Sequence, residues 1–172
     1  MTPAEIRAAA LQHAVALASE RRLTVATGES LTAGLVAASL ADVPGASAVL
    51  RGGVVSYHRD LKVSLLGVDP ELLRSVGAVD VQVAEQMARG ARKSCNADIG
   101  IATTGVAGPE PHEGKDVGTV VVAVSGTDDC LVREYRFAGT RAQIREASCD
   151  AAVKLLTEVL QRRPVGTNRD PQ

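Results

Sequence analysis

The chain has 172 residues, 45% of them hydrophobic, and its 19 Lys and Arg nearly balance 20 Asp and Glu, leaving a net charge of −1. That length suits one domain with a full hydrophobic core, and the charge balance argues against direct nucleic-acid binding as a main activity. Only 2% of residues are aromatic and Trp is absent, so the core must be Ala, Val, Leu and Ile, which suits small-residue helices on a Val-rich sheet.

Thr2-Pro3-Ala4-Glu5 reads as a helix start, with Thr2 as cap, Pro3 in the first helical position and Glu5 closing a capping box. Ile6, Ala10, Ala14 and Leu17 then share one face, which predicts a helix to about Glu20. The apolar run Leu23-Thr24-Val25-Ala26 predicts a strand. It leads through a small-residue turn, Thr27-Gly28-Glu29-Ser30-Leu31-Thr32-Ala33-Gly34, into a helix from Leu35 to Ala41. After a break at Asp42-Val43-Pro44-Gly45, Leu50 to Tyr57 resumes as a strand, and its Gly52-Gly53 pair marks a bulge or a close backbone approach. His58 to Gly67 reads as a helix with Leu61, Leu65 and Leu66 facing inward. Asp69-Pro70 opens a short helix over Glu71 to Ser75, and a longer one runs from Val81 to Ser94 on Val83, Met87 and Ala91.

Ala97 to Thr103 predicts a strand, followed by the turn Thr104-Gly105-Val106-Ala107-Gly108-Pro109 and a flexible polar loop containing His112, Lys115 and Asp116. Gly118 to Ser125 and Cys130 to Phe137 read as a hairpin joined by Gly126-Thr127-Asp128-Asp129. Thr140 caps a last amphipathic helix on Ile144, Ala147, Ala151, Leu155 and Val159. Strands alternating with helices and then a hairpin predict an α/β fold, a three-layer α/β/α sandwich with a mixed β-sheet. No repeat or linker divides the chain, so a single domain is expected over residues 1–163, with a disordered tail over 164–172. Cys95, Cys130 and Cys149 are far apart with no CxxC spacing, which predicts buried thiols in a reducing cytoplasm and no metal site. No apolar run approaches the roughly 20 residues of a membrane span, and the amino terminus reads as a capped helix rather than a signal peptide. A cytoplasmic protein without membrane association is expected.

A strand that ends in a small-residue turn and opens into a helix places that turn among unpaired N–H groups, where the helix dipole favours negative charge. Ser30 in such a turn can cap the helix, or attack an electrophile whose developing anion those groups stabilise. A serine nucleophile needs a base. His13 lies in the first helix, His112 in the polar loop, and His58 beside Tyr57 is a reserve candidate. Lys62 reads by default as a solvated helix lysine, but with its pKa lowered by burial it can serve as in Ser–Lys hydrolases. Tyr57, at a strand end, reads either as a half-buried ring with a wet hydroxyl or as a member of this set. The turn from Thr104 to Pro109 can bring backbone close to a ligand. No Walker lysine follows it and no GxGxxG occurs, so a nucleotide cofactor has little support. Arg141 and Arg145, four apart, can hold a phosphate through a bidentate contact or belong to a surface helix paired with Glu146.

Six segments carry a resemblance when taken in order: Glu29-Ser30-Leu31-Thr32-Ala33-Gly34, Gly53-Val54-Val55-Ser56-Tyr57 with Lys62, Leu66-Gly67-Val68, Thr104 to Pro109, Val117-Gly118-Thr119-Val120, and Gly139-Thr140-Arg141 with Arg145. Together they resemble the CinA carboxy-terminal domain family, the nicotinamide-nucleotide amidohydrolases, over nearly the whole chain. The resemblance implies hydrolysis of the carboxamide of nicotinamide mononucleotide to nicotinic acid mononucleotide and ammonia, without metal or cofactor, in pyridine-nucleotide recycling. It implies Ser30 as nucleophile, Lys62 as base and Tyr57 as the group that orients or relays the proton. Backbone N–H groups at Thr32, Ala33 and Gly34 would face the substrate and its oxyanion. Thr104, Gly105, Gly108 and Arg141 would hold the ribose phosphate or the pyridine ring.

Where the family usually has Glu-Ser-Cys-Thr-Gly-Gly, this chain has Leu31 and Ala33. Glu110-Pro111 replaces a usual Gly-Gly, and Asp116 a common proline. The Ala33 methyl is expected to narrow the approach to substrate, and Glu110 to set negative charge beside a phosphate. Many relatives carry a further amino-terminal domain resembling molybdopterin-binding proteins and linked to ADP-ribose pyrophosphatase activity. This chain reads as the stand-alone form, so that role is not carried over. A homodimer or higher homo-oligomer is the family expectation. The competing reading is a non-catalytic nucleotide- or partner-binding protein linked to competence or the DNA-damage response.

Overall fold

Strands β1 (Val25–Glu29), β2 (Leu50–Val55), β3 (Ile99–Gly105), β4 (Thr119–Ser125) and β5 (Cys130–Arg136) form one sheet in the order β2-β1-β3-β4-β5. β1 is parallel to both β2 and β3, whereas β4 pairs antiparallel with β3 and β5. The computed structural model describes residues 1–163, and the predicted tail over 164–172 lies outside them.

Helices cover both faces of the sheet. On one face lie α1 (Pro3–Glu20), α2 (Leu35–Ala41) and α6 (Arg141–Gln161), whose Leu11, Val15, Val36, Leu40, Ile144 and Leu155 share a core with Ile99, Ile101, Val120 and Val122. On the other lie α3 (Arg59–Leu66), α4 (Pro70–Val76) and α5 (Val81–Ser94), whose Leu66, Leu73, Val83 and Met87 meet Ala102, Val121 and Ala123. Successive residues of a strand point to opposite faces, so Val120 and Val122 feed one core and Val121 the other. This is the predicted three-layer α/β/α sandwich. Both capping boxes form, Thr2 with Glu5 on α1 and Thr140 with Gln143 on α6. The β1–β2 register slips where Gly52 was expected to mark a bulge, because Val25 pairs Leu50 but Ala26 pairs Gly52. Among the described residues no helix is long and apolar enough to cross a membrane.

Five expectations about the elements and loops are corrected. β1 runs on through Thr27, Gly28 and Glu29, so the turn is only Ser30 to Gly34. β3 likewise continues through Thr104 and Gly105. In α1 the inward face is Leu11, Ala14, Val15 and Ala18, while Ile6 is 52% exposed beside a groove between α1 and α6. In α3 the inward pair is Lys62 and Leu66, spaced i,i+4, and Leu61 and Leu65 face out. The polar loop after Pro109 is fastened as well. Glu113 accepts the Ala78 amide at 2.6 Å and pairs with Arg59, whose Nη2 also donates to the Leu73 carbonyl at 2.5 Å.

α3 and α5 meet at Gly90, where a Cβ would lie 1.9 Å from the Leu66 carbonyl oxygen. Ala in place of Gly inside a helix ordinarily gains about 1 kcal/mol, but here the clash is with backbone, and overpacking costs roughly 1–3 kcal/mol or more. Gly90→Ala is therefore expected to lower the unfolding free energy by about 2 kcal/mol in urea titrations. A stabilised variant would show that α3 can move away from α5 without cost.

Candidate active site

The chain passes from β1 through α2 to β2 on one face, then back through α3, α4 and α5 on the other face to β3, on the far side of β1. Opposite directions of travel on opposite faces keep the two crossovers of one hand. They also leave a switch point between β1 and β3, and a crevice opens beyond the carboxyl ends of strands at such a point. A cleft of about 340 Å³ lies there, lined by Ser30 after β1, Tyr57 after β2, Lys62 of α3, Gly105 at the end of β3, and Arg141 of α6. The Ser30 amide donates to the Thr103 carbonyl at 2.9 Å, which ties the serine to β3.

Lys62 is 1% exposed, and its Nζ donates to the Ser56 carbonyl at 2.7 Å and to Ser30 Oγ at 3.0 Å. Burial pushes its pKa down to about 8; Glu113 opposes the shift and Arg59 adds to it. A buried ammonium costs free energy because it leaves water, so neutral amine is accessible near neutral pH. Ser30 and Lys62, expected as nucleophile and base, are thus brought within hydrogen-bonding distance of each other. Tyr57 is placed differently. Its ring is 54% exposed, its hydroxyl accepts from Arg141 Nη2 at 2.6 Å, and its contact with Lys62 is through its main-chain carbonyl at 3.4 Å. The hydroxyl thus belongs to the cleft wall with Arg141, which also donates to the Gly108 carbonyl.

The turn after Ser30 is organised by Glu29, which the sequence reading left without a role. Its carboxyl group is 1% exposed and accepts from the Gly34 and Val36 amides at 2.9 and 3.1 Å and from the Ala37 amide at 2.9 Å. The Thr32 hydroxyl also donates to it at 2.7 Å and lies 2.6 Å from Thr103 Oγ1. A hydroxyl has one proton to give, so Thr103 must donate to Thr32, which donates to Glu29. Glu29 is in effect the side-chain cap of α2, since its formal N-cap, Gly34, has none.

This arrangement corrects the substrate side of the turn. The Gly34 amide is taken by Glu29 and the Ala33 amide by the Ser30 carbonyl at 3.1 Å. Neither residue lines the cleft, and nor does Thr32, which is fully buried. Ala33 is exposed at φ 50°, in the left-handed region, so its methyl points to solvent and does not narrow the approach. The Leu31 and Thr32 amides have no acceptor among the described residues. Thr104, Gly105 and Gly108 line the cleft, with Thr104 Oγ1 donating to the Ala78 carbonyl at 2.7 Å. Glu110, Pro111 and His112 form its rim. Arg145 is elsewhere, forked onto the Leu31 and Thr32 carbonyls at 2.9 Å each. Glu146 faces Arg7 at 3.6 Å, not Arg145. His58 is an exposed residue beside Asp60, and His13 lines the α1–α6 groove. Of the cysteines only Cys149 is buried, and among the described residues no three His, Cys, Asp or Glu gather to hold a metal.

Residues 7–160 match the family described as the CinA C-terminal domain. A CinA-like protein of Frankia casuarinae is 46% identical over 145 residues, 84% of this chain and 34% of its own length. One from Mycolicibacterium gilvum is 48% identical over 139 residues, 80% of this chain and 33% of its own length. The chain therefore spans about a third of the length of these curated relatives. Among solved structures, the competence/damage inducible protein CihA from Agrobacterium tumefaciens has a TM-score of 0.86 at 35% identity, covering 91% of this chain and 96% of that one. A competence-damaged protein (CinA) superfamily protein from Klebsiella pneumoniae has a TM-score of 0.88 at 28% identity, covering 91% and 99%.

The buried lysine has a signature in stability. Below about pH 8 it is protonated both folded and unfolded, and the full cost of burial is in force. Between about 8 and its ordinary 10.5 the unfolded chain binds the proton more tightly, so stability rises with pH at up to about 1.4 kcal/mol per unit. Relative to Lys62→Met, the wild type is expected to gain stability across that window in urea titrations at pH 7, 9 and 10. A difference that stays constant with pH would mean that Lys62 titrates at its ordinary value.

Proposed function

The chain belongs to the CinA C-terminal domain family, and from that premise we propose that it is a serine amidohydrolase acting on the carboxamide of nicotinamide mononucleotide. The observation that carries the proposal is the buried Lys62 amine 3.0 Å from Ser30 Oγ at the floor of a cleft. Ser30 Oγ attacks the carboxamide carbon while Lys62 Nζ takes its proton, and the negative charge gathers on the carboxamide oxygen. The carbon–nitrogen bond then breaks, and the leaving nitrogen takes the proton back from Lys62 and departs as ammonia. Water attacks the resulting ester with Lys62 again as base. The carboxylic acid leaves, and Ser30 recovers its proton. Each step needs Lys62 neutral on the way in and protonated on the way out, which suits an amine with a pKa near neutrality.

The rest of the cleft supports a nucleotide substrate. Val79, Val106 and Ala107 offer an apolar wall to a flat ring, and Arg141 stands at the rim. Its present partners, a phenol and a carbonyl, are neutral. A phosphate would make stronger, charge-assisted bonds in their place. Arg59 is less available because Glu113 already holds it. The link to competence and DNA damage belongs to the names of relatives, and a binding role of that kind is the outcome to set against catalysis.

Ammonia release from nicotinamide mononucleotide in EDTA is the test. Wild type is expected to turn over, and Ser30→Ala to lose at least about a thousandfold in kcat. The value of kcat/KM is expected to rise with pH and level off above about 8, because the base acts only when deprotonated. Undiminished turnover by Ser30→Ala would remove the mechanism. Tight nucleotide binding without any turnover by the wild type would put the binding role in its place.

A further inference from the structure

We infer that the backbone N–H of Gly105, at the carboxyl end of β3, is an oxyanion donor for the reaction at Ser30; this rests on the serine-nucleophile reading above. The direction of that N–H follows from the sheet register. In an antiparallel pair, residues whose backbone groups bond the partner strand alternate with residues whose groups face away from it. The Val106 amide donates to the Thr119 carbonyl at 2.9 Å. Val106, Thr104 and Ala102 therefore turn their backbone groups to β4, while Gly105 and Thr103 turn theirs to β1. Thr103 obeys this rule, since its carbonyl accepts from the Ser30 amide at 2.9 Å.

β1 ends just short of the next rung. A continued parallel ladder would have the Gly105 amide donate to the Ser30 carbonyl. The chain turns at Ser30 instead, and that carbonyl accepts from the Ala33 amide at 3.1 Å. The Gly105 amide is left with no acceptor among the described residues. It also stands where a substrate can reach it, because Gly105 is partly exposed and lines the cleft together with Ser30. The turn itself offers less: Thr32 is fully buried, and the Ala33 and Gly34 amides are engaged.

The N–H is aimed in advance. It shares a planar trans peptide with the Thr104 carbonyl, and the two point in opposite directions. By the same alternation that carbonyl faces Val121 of β4. The Thr104 side chain is buried and anchored by its hydroxyl to the Ala78 carbonyl at 2.7 Å. A donor held by a sheet rung behind it needs no rearrangement when charge develops on the carboxamide oxygen. Glycine fits here because β3 and β4 close tightly: a Cβ would lie 2.7 Å from the Thr119 carbonyl oxygen and 2.9 Å from Val120 Cγ2. The family resemblance gave Gly105 to the ribose phosphate or the pyridine ring. The register sets its N–H beside the nucleophile.

The test removes the N–H alone, because a side chain at Gly105 would also push β3 from β4. Gly105→glycolate, introduced by nonsense suppression, replaces that amide by an ester, and Ala102→lactate does the same at a ladder position away from the cleft. Two readouts are turnover of nicotinamide mononucleotide and labelling of Ser30 by a fluorophosphonate ester. In the second, Ser30 Oγ forms a bond to phosphorus and fluoride leaves, the proton going to Lys62, so the reagent probes the site without the proposed substrate. Gly105→glycolate is expected to lower kcat and the labelling rate together by about 100-fold. KM should stay within about threefold, because an oxyanion donor acts on the transition state rather than on bound substrate. Ala102→lactate, which loses a hydrogen bond to β4, should show the larger fall in Tm and rates near wild type. In wild type labelled at its glycine nitrogens, the Gly105 amide proton should move downfield in the NMR spectrum when Ser30 is phosphonylated. If wild type labels but does not turn over, and Gly105→glycolate labels slowly, the donor role stands and the substrate assignment falls. Wild-type rates in Gly105→glycolate overturn the donor role. So does a change confined to KM, an equal loss of rate in Ala102→lactate, or an unmoved Gly105 resonance. Neither labelling nor turnover in the wild type removes the nucleophile, and the role of Gly105 with it.

Discussion

The carboxyl group of Glu29 lies buried at the end of β1 and receives the Thr32 hydroxyl together with the amides of Gly34, Val36 and Ala37. Those are the orphan donors that any helix start leaves unsatisfied, and α2 has no capping side chain of its own. Buried donors left unpaired would each cost roughly 1–3 kcal/mol, so the turn between Ser30 and Leu35 has one low-energy shape. That shape passes through the left-handed region at Ala33 and Gly34, φ 50° and 95°. For a residue with a side chain this costs on the order of 1 kcal/mol, which several hydrogen bonds to one carboxyl group outweigh. A glycine at position 33, which the family resemblance implies, would take this backbone conformation without that cost. The position is exposed, so substitution there bears on stability and leaves the cleft's dimensions alone.

A second cost is carried by Lys62. Its ammonium is enclosed with the Ser56 and Tyr57 carbonyls and Ser30 Oγ as its hydrogen-bonding partners, and no carboxylate sits within ion-pair distance of it among the described residues. A partner carboxylate would stabilise the charged form and raise its pKa, which would defeat a base. Glu113 does act on Lys62 from a distance, and Arg59, paired with Glu113, opposes it. Neutral carbonyls satisfy the amine's protons without holding it charged. The chain thus tolerates an unfavourable burial at the one place where the proposed chemistry calls for a neutral lysine.

Elements with strong local signals were legible from the residues. Capping boxes at Thr2 and Thr140, the apolar face of α5 and the hairpin between β4 and β5 all follow from short-range rules, and the structure keeps them. The inward face of α3 was misread because Leu61 and Leu65 match an apolar stripe as well as Lys62 and Leu66 match a mixed one. Only the position of the Ser56 carbonyl and Ser30, supplied by β2 and β1, makes Lys62 the inward member. Glu29 read as part of a small-residue turn because its four donors are up to eight residues further along and converge only once α2 forms. Arg145 was weighed as a phosphate ligand for the same reason: its carbonyl partners are more than a hundred residues away. Local propensity is in the sequence; long-range partners of a polar side chain are decided by topology.

Topology also explains why so many elements meet at one short turn. Because β2 and β3 flank β1, the residue leaving β1 is reached from both crossovers and from the helix that closes the fold. α3, on one face, delivers Lys62 to Ser30; α6, on the other, delivers Arg145 to Leu31 and Thr32; β3, alongside, takes the Ser30 amide and contributes Thr103. A serine at the end of β2, an edge strand, would have a neighbour on one side only. At the end of β1 it has strands on both sides and helices above and below, so the side chains and carbonyls that hold the turn come from α3, α6 and β3. Such a constellation holds its geometry through packing, which is the condition for hydrogen-bond donors to act on a transition state without first rearranging.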